Sequence, residues 1–168
     1  MTKDVAYNEY LKELLAQLPK GAFLTTKHQD QLNTMTIGWG TVGFNWGKPV
    51  FAVLVRYSRH TYQLIDKAKE FTVSIPIKRD LKKELAFCGT KSGRDVDKFK
   101  ECNLTAEPAK VVNTPVIGQC DLIYECKVVY QQAMEPALID EKIHQHSYAK
   151  GDYHVIYYGE IVASYVKE

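Results

Sequence analysis

The sequence predicts a mainly β fold with peripheral helices, arranged as a mostly antiparallel barrel. Short segments rich in β-branched and aromatic residues alternate with turn sequences over most of the 168 residues. Two long strands and several short ones, with only three helices, do not make the repeating strand and helix pattern of a parallel sheet. No internal repeat or linker divides residues 1–168, so a single domain is predicted.

Three segments have helical patterns. Apolar residues recur at helical spacing over about residues 3–18, which predicts an amphipathic N-terminal helix that ends before Pro19. Thr61 to Ala68 and Asp80 to Cys88 have the same periodicity, and Gly89 is the expected end of the latter helix. All three helices are expected to pack outside the barrel.

Six segments have strand patterns. They are Phe23 to Thr26, Met35 to Trp39, Val50 to Arg56, Phe71 to Ile75, Leu122 to Tyr130 and His154 to Val166. Val50 to Val55 is apolar on both faces, which predicts a covered central strand. Phe71 to Ile75 alternates strictly between apolar and polar residues, which predicts one buried face and one polar face.

Composition excludes several classes of protein. Lys and Arg number 22 against 20 Asp and Glu, and 45% of residues are hydrophobic, which is typical of a globular chain. The longest apolar run, Val50 to Val55, has six residues, far fewer than the ~20 that cross a bilayer as a helix. The first residues lack the apolar core of a signal peptide, so no membrane association and a cytoplasmic location are predicted. The four cysteines include no C-x-x-C pair, and we expect reduced thiols that mostly act as small apolar fillers.

The segment Arg56-Tyr-Ser-Arg-His-Thr61 leaves a buried strand and opens a helix. It brings two guanidinium groups, two hydroxyl groups and helix-terminal N–H groups together. These are the donors that bind a phosphate monoester, with Arg56, Ser58 and Arg59 as candidates. The alternative is a polar loop whose arginines lie in solvent.

Two further segments carry candidate ligand-binding groups. The loop from Cys88 to Phe99 contains Gly89 and Gly93, which let the backbone approach a ligand, and Lys98, which offers a positive charge to an electron-rich ring. Its alternative is a helix end followed by a solvated turn. Asn33 to Trp39 places amide and hydroxyl groups beside a large aromatic ring, which suits a planar heterocycle with a polar side chain. Core packing is the alternative there.

Three other patterns are weaker. Gly38-Trp-Gly40-Thr-Val-Gly43 matches the dinucleotide fingerprint, but turn residues follow it and not a helix. His144 and His146 would share one face of a strand and, with His154, form a metal trio, but their spacing matches no usual zinc pattern, so no metal is predicted. Eleven Tyr, six Phe and two Trp in a barrel raise single-stranded nucleic-acid binding as an alternative. A net charge of +2 without a basic stripe opposes it, and no nucleic acid is expected.

Five segments taken together resemble the flavin reductase-like, FMN-binding split-barrel family, and within it the flavoredoxin-like branch. They are Asn33-Thr-Met-Thr-Ile-Gly-Trp39, Val55-Arg-Tyr-Ser-Arg-His-Thr-Tyr62, Glu70-Phe-Thr-Val, Cys88-Gly-x-x-Ser-Gly-Arg-Asp-x-Asp-Lys-Phe99 and His154-x-Ile-x-x-Gly-Glu160-Ile. The resemblance implies a six-stranded antiparallel split β-barrel. It also implies a homodimer with one FMN per subunit near the subunit interface.

The resemblance also implies roles for individual residues. By position, Arg56, Ser58 and Arg59 hold the FMN phosphate, and Trp39 lies close to the isoalloxazine ring. The ribityl chain and ring edge are lined by Asn33, Thr34, Met35 and Thr36. The second loop approaches the flavin through Gly89, Ser92, Gly93 and Lys98, and His154 stands near the redox face. Members of the family often have proline where this chain has Tyr57.

Two functions follow from the resemblance. The first is an FMN-dependent oxidoreductase of flavin reductase type, which passes electrons between NAD(P)H and flavin or a downstream acceptor. The second is an electron-transfer flavoprotein, whose FMN shuttles electrons between redox proteins and reacts poorly with NAD(P)H. In either case the protein positions and tunes the flavin, and His154 and Lys98 are the catalytic candidates.

Overall fold

The computed structural model describes residues 1–167. In this range the strands are β1 (Thr2–Asp4), β2 (Ala22–His28), β3 (Gln31–Ile37), β4 (Gly40–Asn45), β5 (Lys48–Arg56), β6 (Glu70–Ile75), β7 (Ala106–Glu107), β8 (Val116–Ile117), β9 (Leu122–Ala133) and β10 (His154–Lys167). The α-helices are α1 (Leu11–Gln17), α2 (His60–Ala68), α3 (Lys82–Thr90), α4 (Lys98–Glu101) and α5 (Glu141–Ser147). Two short 3-10 helices cover Leu18–Lys20 and Pro136–Leu138. In residues 1–167 we find no helix that combines the length and apolarity needed to cross a bilayer.

One antiparallel sheet dominates the fold. Among the described residues it has eight strands in the order β3-β2-β6-β9-β10-β5-β4, with β1 paired to β10 beside this path. The mainly antiparallel β class with peripheral helices is therefore confirmed. The count of six strands is too low, because β1 and β4 join the six strands that the sequence predicts.

The two additional strands have separate causes. Residues Thr2–Asp4 pair with β10, so the predicted helix over 3–18 is wrong in its first turns, and α1 begins only at Leu11. β4 runs back along β5 as a hairpin, and both residues of its turn, Trp46 and Gly47, have positive φ (55° and 69°). Two such residues favour the tight turn that matches the twist of paired strands.

Two predicted segments also differ in detail. β6 was expected to have one polar face, but both faces are buried, because the chain after α4 covers it. There Thr72 donates a hydrogen bond to the Pro115 carbonyl, and the Ser74 hydroxyl accepts one from Ile117 N–H. α3 begins at Lys82 and continues through Gly89, so this glycine does not end the helix as predicted.

The apolar core has two parts. The larger cluster fills the barrel and includes the covered strand β5, as predicted. The smaller cluster lies between the sheet and the α3–α4 region. Cys126 is buried in the larger cluster, and Cys88 and Cys120 are buried in the smaller one, which agrees with their expected role as apolar fillers.

A buried carboxylate anchors the segment that covers β6. Glu125 in β9 is fully buried and accepts hydrogen bonds from the backbone N–H groups of Lys110, Val111 and Val112 at 2.7, 2.7 and 3.1 Å. The hydroxyl of Tyr165 donates a fourth bond at 2.9 Å. Buried N–H groups that lose an acceptor carry the full cost of their desolvation.

We therefore predict that Glu125→Ala lowers the free energy of unfolding by about 3 kcal/mol, because it leaves these donors unpaired. Glu125→Gln, which keeps one acceptor oxygen, is expected to lower the free energy of unfolding by less. Urea denaturation measures both effects. Glu13→Ala, at an exposed carboxylate of α1, serves as the control. Equal stability of Glu125→Ala and the control would contradict the anchoring role.

Candidate functional site

Two adjoining clefts lie where β3, β5 and β10 meet the start of α2 and the loop after α3. The first cleft is lined by Met35, Thr36, Ile37, Gly38, Trp39, Leu54, Arg56, Arg59 and His154. The second is lined by Asn33, Met35, Ser58, Arg59, His60, Thr61, Thr90, Lys91, Ser92, Gly93, Arg94 and Lys98. Met35 and Arg59 line both, so the clefts are neighbours. Among the predicted site residues, Thr34 and Gly89 line neither cleft.

Strand pairing assembles the first cleft. His154 opens β10 directly opposite Arg56, the last residue of β5. The imidazole of His154 lies 5.3 Å from the Trp39 ring, measured between ring centroids. Trp39 is 49% exposed, so it presents a large apolar face at the mouth of the cleft. Aromatic rings on an accessible wall suit a flat ligand.

A hydrogen bond orients His154. Its Nδ1 lies 2.7 Å from the hydroxyl of Tyr148, which is itself buried. Burial and the charge of Arg56 lower the pKa of His154 to about 4, although Asp152 opposes the shift. The imidazole is therefore neutral at pH 7. When the phenol donates to Nδ1, the ring proton is held on Nε2.

The start of α2 shapes the second cleft. Arg59 is the N-cap of this helix, and its Nη1 donates a hydrogen bond of 2.7 Å to the Gly89 carbonyl. The first N–H groups of a nine-residue helix have no intrahelical acceptor and favour an anion. Arg59 thus holds a positive charge at the boundary between the two clefts.

The other two predicted phosphate ligands, Arg56 in the first cleft and Ser58 in the second, also have hydrogen-bond partners within the chain. Arg56 donates to the carbonyls of Asp152 and Ser147 at 2.6 and 3.1 Å, and its guanidinium lies over the Tyr148 ring. The Ser58 backbone N–H and hydroxyl both donate to the Asp152 carboxylate. Arg56 and Ser58 therefore tie the loop before α2 to the loop before β10.

Lys98 is buried at the wall of the second cleft. Its ammonium donates to the carbonyls of Thr34 and Cys88, each at 2.9 Å, and only 4% of the residue is exposed. Asp97 caps α4 and so helps to fix the position of Lys98 at its start. Burial lowers the pKa of Lys98 to about 8, because the charged form loses hydration.

Close packing explains Gly93 and the role of Asn33. A Cβ on Gly93 would overlap the Asn33 side-chain amide, so only glycine fits at this position. Asn33 Nδ2 donates a 2.8 Å hydrogen bond to the Thr61 hydroxyl at the start of α2. The hydroxyls of Thr34 and Thr36 donate to the backbone carbonyls of Leu24 and Leu85. These threonines hold β3 in place with their side chains.

The structure adds site residues that sequence reasoning missed. His60 lines the second cleft, and its Nδ1 is buried with no hydrogen-bond partner among residues 1–167. Burial, Arg94 and Lys98 lower its pKa, while Gln63 opposes the shift. His60 lies in the segment from Arg56 to Thr61, and Arg94 lies in the loop from Cys88 to Phe99. Both segments were candidate binding segments, so the imidazole and guanidinium groups could have been named from the sequence. The contact of Asp152 with Ser58 spans 94 positions, and no local pattern indicates it.

The glycine and histidine patterns noted in the sequence lie in ordinary secondary structure. Gly40 to Gly43 lie in β4 and open no helix, which agrees with the rejection of a dinucleotide fingerprint. His144 and His146 lie on α5, so their predicted placement on a strand is wrong. His144 Nε2 lies 2.9 Å from the Tyr153 hydroxyl. Within the described range, no group of three His, Cys, Asp or Glu side chains is arranged to hold a metal ion.

Comparison with known proteins gives one family. The model described as "Flavin reductase like domain" matches residues 16–168. An uncharacterized protein of Archaeoglobus fulgidus is 32% identical over 111 residues, which cover 66% of this chain and 62% of the relative. A second, PYRAB12460 of Pyrococcus abyssi, is 31% identical over 101 residues, 60% of this chain and 56% of the relative. The chain thus spans less than two thirds of either relative.

Solved structures share the fold. Flavoredoxin of Desulfovibrio vulgaris (Miyazaki F) superposes with a TM-score of 0.69 at 26% identity, over 88% of this chain and 69% of that one. Flavoredoxin from Methanosarcina acetivorans gives 0.67 at 26% identity, over 88% and 68%. A protein with a split barrel domain from Shewanella frigidimarina gives a TM-score of 0.70 at 17% identity, over 88% of this chain and 67% of that one, a likeness in fold alone.

We predict that protonation of His154 destabilises the fold. Its pKa is about 4 in the folded chain against an ordinary value of 6.5, so between these values only the unfolded chain binds the proton. The free energy of unfolding should therefore fall as the pH drops from 6.5 to about 4. Urea denaturation of the parent and of His154→Asn tests this, and the variant should lose less stability over that range. His146→Asn, at an exposed histidine of α5, should behave like the parent.

Proposed function

Because the chain belongs to the flavin reductase-like family, we propose that it is an FMN-binding oxidoreductase. The observation that carries the proposal is the pair of adjoining clefts that share Met35 and Arg59. One cleft offers an aromatic wall and the other offers cations, hydroxyls and a helix start. FMN combines the same two chemistries, a flat ring and a phosphate.

The residues of the second cleft fit a phosphate. Arg59 and Arg94 supply forked donors, Ser92 supplies a hydroxyl, and α2 supplies unpaired N–H groups. The buried Nδ1 of His60, which has no partner in the described chain, gains one when an oxyanion is present. Gly93, which packs against Asn33, also lines this cleft. We therefore propose that Arg59, Arg94 and His60 bind the phosphate, while Arg56 and Ser58 position the loop before α2.

The first cleft fits a flat ring. Trp39 and Met35 line it, and His154 stands at its wall in the neutral state. Thr36 lines the first cleft and Asn33 lines the second, and we place the ribityl chain along β3 between them. When bound, the flavin supplies the redox chemistry, taking up electrons from a donor and passing them to an acceptor. Lys98 contributes a positive charge nearby, which favours the reduced, more negative flavin and raises its midpoint potential.

The proposed donor is NAD(P)H. The half-exposed Trp39 leaves one side of the first cleft accessible, and a nicotinamide ring needs such access to reach a bound flavin. The second candidate is an electron carrier between redox proteins, supported by the 26% identity to two flavoredoxins.

The homodimer and the cytoplasmic location expected from the sequence stay predictions. The exposed rings of Trp46 and Tyr130 pack against the half-buried Tyr158 and offer an apolar surface for a second copy.

We predict that Arg59→Ala weakens FMN binding by about ten- to a hundredfold, the loss expected for a charge-assisted hydrogen bond of about 1.5–3 kcal/mol. Fluorescence titration measures the dissociation constant. Riboflavin, which lacks the phosphate, should bind parent and variant almost equally. Arg79→Ala, at an exposed arginine outside both clefts, is the control. Unchanged FMN affinity in Arg59→Ala would refute the phosphate assignment.

A second prediction separates the two candidate functions. Anaerobic mixing of the FMN-loaded protein with NADH or NADPH should bleach the flavin absorption band. Trp39→Ala should slow bleaching about tenfold, because the wall that aligns the rings is lost. Leu138→Ala, at an exposed residue outside both clefts, should not. If neither nucleotide bleaches the flavin while dithionite does, the reductase assignment fails and the electron carrier is favoured.

A further inference from the structure

His154 has one ring nitrogen bound inside the protein and one that faces the first cleft. Its Nδ1 lies 2.7 Å from the Tyr148 hydroxyl, and its ring lines the cleft beside Trp39. Nε2 has no hydrogen-bond partner among residues 1–167. It is nevertheless accessible, because the buried side-chain nitrogen and oxygen atoms without a partner in that range belong to His60 and Tyr157. A ligand in the first cleft can therefore reach Nε2.

The burial of Tyr148 indicates which group donates in this hydrogen bond. Tyr148 is 2% exposed, and within the described chain its hydroxyl has His154 Nδ1 as its one partner. Burial raises the pKa of Tyr148, so the phenol keeps its proton. If Nδ1 carried the imidazole proton, the phenol would accept it, and the buried O–H would have no acceptor. If the phenol donates, the imidazole proton lies on Nε2, where the cleft is open.

We propose that Tyr148 is a positioning residue, which fixes His154 as the tautomer whose Nε2–H donates a hydrogen bond into the first cleft. The acceptor is a carbonyl oxygen or an unprotonated nitrogen at the edge of a flat ring in this cleft. His154 thus acts as a neutral donor and neither takes up nor releases a proton. The bond to a flavin ring rests on the proposed function, whereas the choice of tautomer does not.

The strands of the cleft hold Tyr148 in place. Arg56 ends β5 and donates a 3.1 Å hydrogen bond to the carbonyl of Ser147, the last residue of α5. Its guanidinium carbon lies 5.0 Å from the centre of the Tyr148 ring. The Tyr153 ring stacks against Tyr148, with ring centroids 5.3 Å apart. Because Arg56 also pairs with His154 across β5 and β10, it fixes both members of the hydrogen bond.

A fixed donor at the cleft wall selects among flat ligands. It binds a ring edge that presents an acceptor and disfavours an edge that presents its own N–H, because both donors would then be unpaired. The oxidised flavin ring presents carbonyl oxygens and unprotonated nitrogens at its polar edge, so it meets this requirement. Burial and the charge of Arg56 lower the pKa of His154 to about 4, so the donor is neutral at pH 7.

The first test needs no flavin. The full chain is prepared with isotope-labelled histidine, and NMR at pH 7 reads which ring nitrogen of His154 carries the proton, because the two kinds of nitrogen have well-separated chemical shifts. His154→Gln assigns the signals. We expect the proton on Nε2 in the parent. In Tyr148→Phe, which keeps the ring and removes the hydroxyl, we expect a mixture of both tautomers.

Tyr153→Phe is the matched control. It keeps the ring that stacks on Tyr148 and removes a hydroxyl that bonds a different histidine, His144. The tautomer of His154 should be unchanged in this variant. A proton on Nδ1 in the parent would overturn the proposal, whether or not the variants fold. A Tyr148→Phe protein that keeps the parental tautomer would overturn it as well.

The second test measures the donor at the ring. His154→Gln keeps an N–H donor near the position of Nε2, whereas His154→Leu has none. We expect His154→Leu to weaken the binding of FMN and of riboflavin alike by about two- to tenfold, the loss of one neutral hydrogen bond. His154→Gln should retain most of the parental affinity. Equal losses in the two variants would exclude a donor role, and failure of the parent to bind either flavin would refute the proposed function while the tautomer result stands.

Discussion

The C-terminal end of α3 holds the candidate site together, because its last carbonyl groups accept hydrogen bonds from two cations. Lys98 binds the carbonyl of Cys88 and Arg59 binds that of Gly89. These carbonyls have no partner within the helix and stand at the negative end of its dipole. Lys98 also binds the Thr34 carbonyl, so one helix end positions β3, α2 and α4 together.

This arrangement determines the electrostatics of both clefts. Burial deprives the Lys98 ammonium of hydration, and this loss lowers its pKa. Two backbone carbonyls compensate in part, because they accept hydrogen bonds from the ammonium. After burial, different cations contribute to the lowered pKa of each histidine: Arg94 and Lys98 act on His60, and Arg56 and Arg59 act on His154. Burial first, and the nearby positive charges second, therefore favour the neutral form of both imidazoles. The clefts are thereby suited to an anion, with neutral imidazoles at their walls.

The accuracy of the sequence predictions depended on how local each pattern is. The six predicted strands are present, because alternation and β-branched residues indicate a strand whichever strand it pairs with. The strand predicted over Met35 to Trp39 ends at Ile37, however, so Trp39 lies outside it. β1 was missed because Thr2–Asp4 form a strand only through β10, more than 150 residues away. β6 was assigned a polar face because nothing in its own residues shows that the chain near Pro115 covers it. His144 and His146 were wrongly predicted to lie on a strand, because two residues are too few to distinguish the period of a helix from that of a strand.

The sequence by itself determined the β class, the two loops that flank the clefts and most residue types of the site, because charge, hydroxyl content and glycine are properties of the segments themselves. Only the tertiary structure decided which cation faces which cleft. Arg56 and Ser58 turn toward residues 147 and 152, while Arg59 and Lys98 turn toward α3. Each of these side chains bonds to groups that the pairing of distant strands brings close to it. No short stretch of sequence shows the register in which those strands pair.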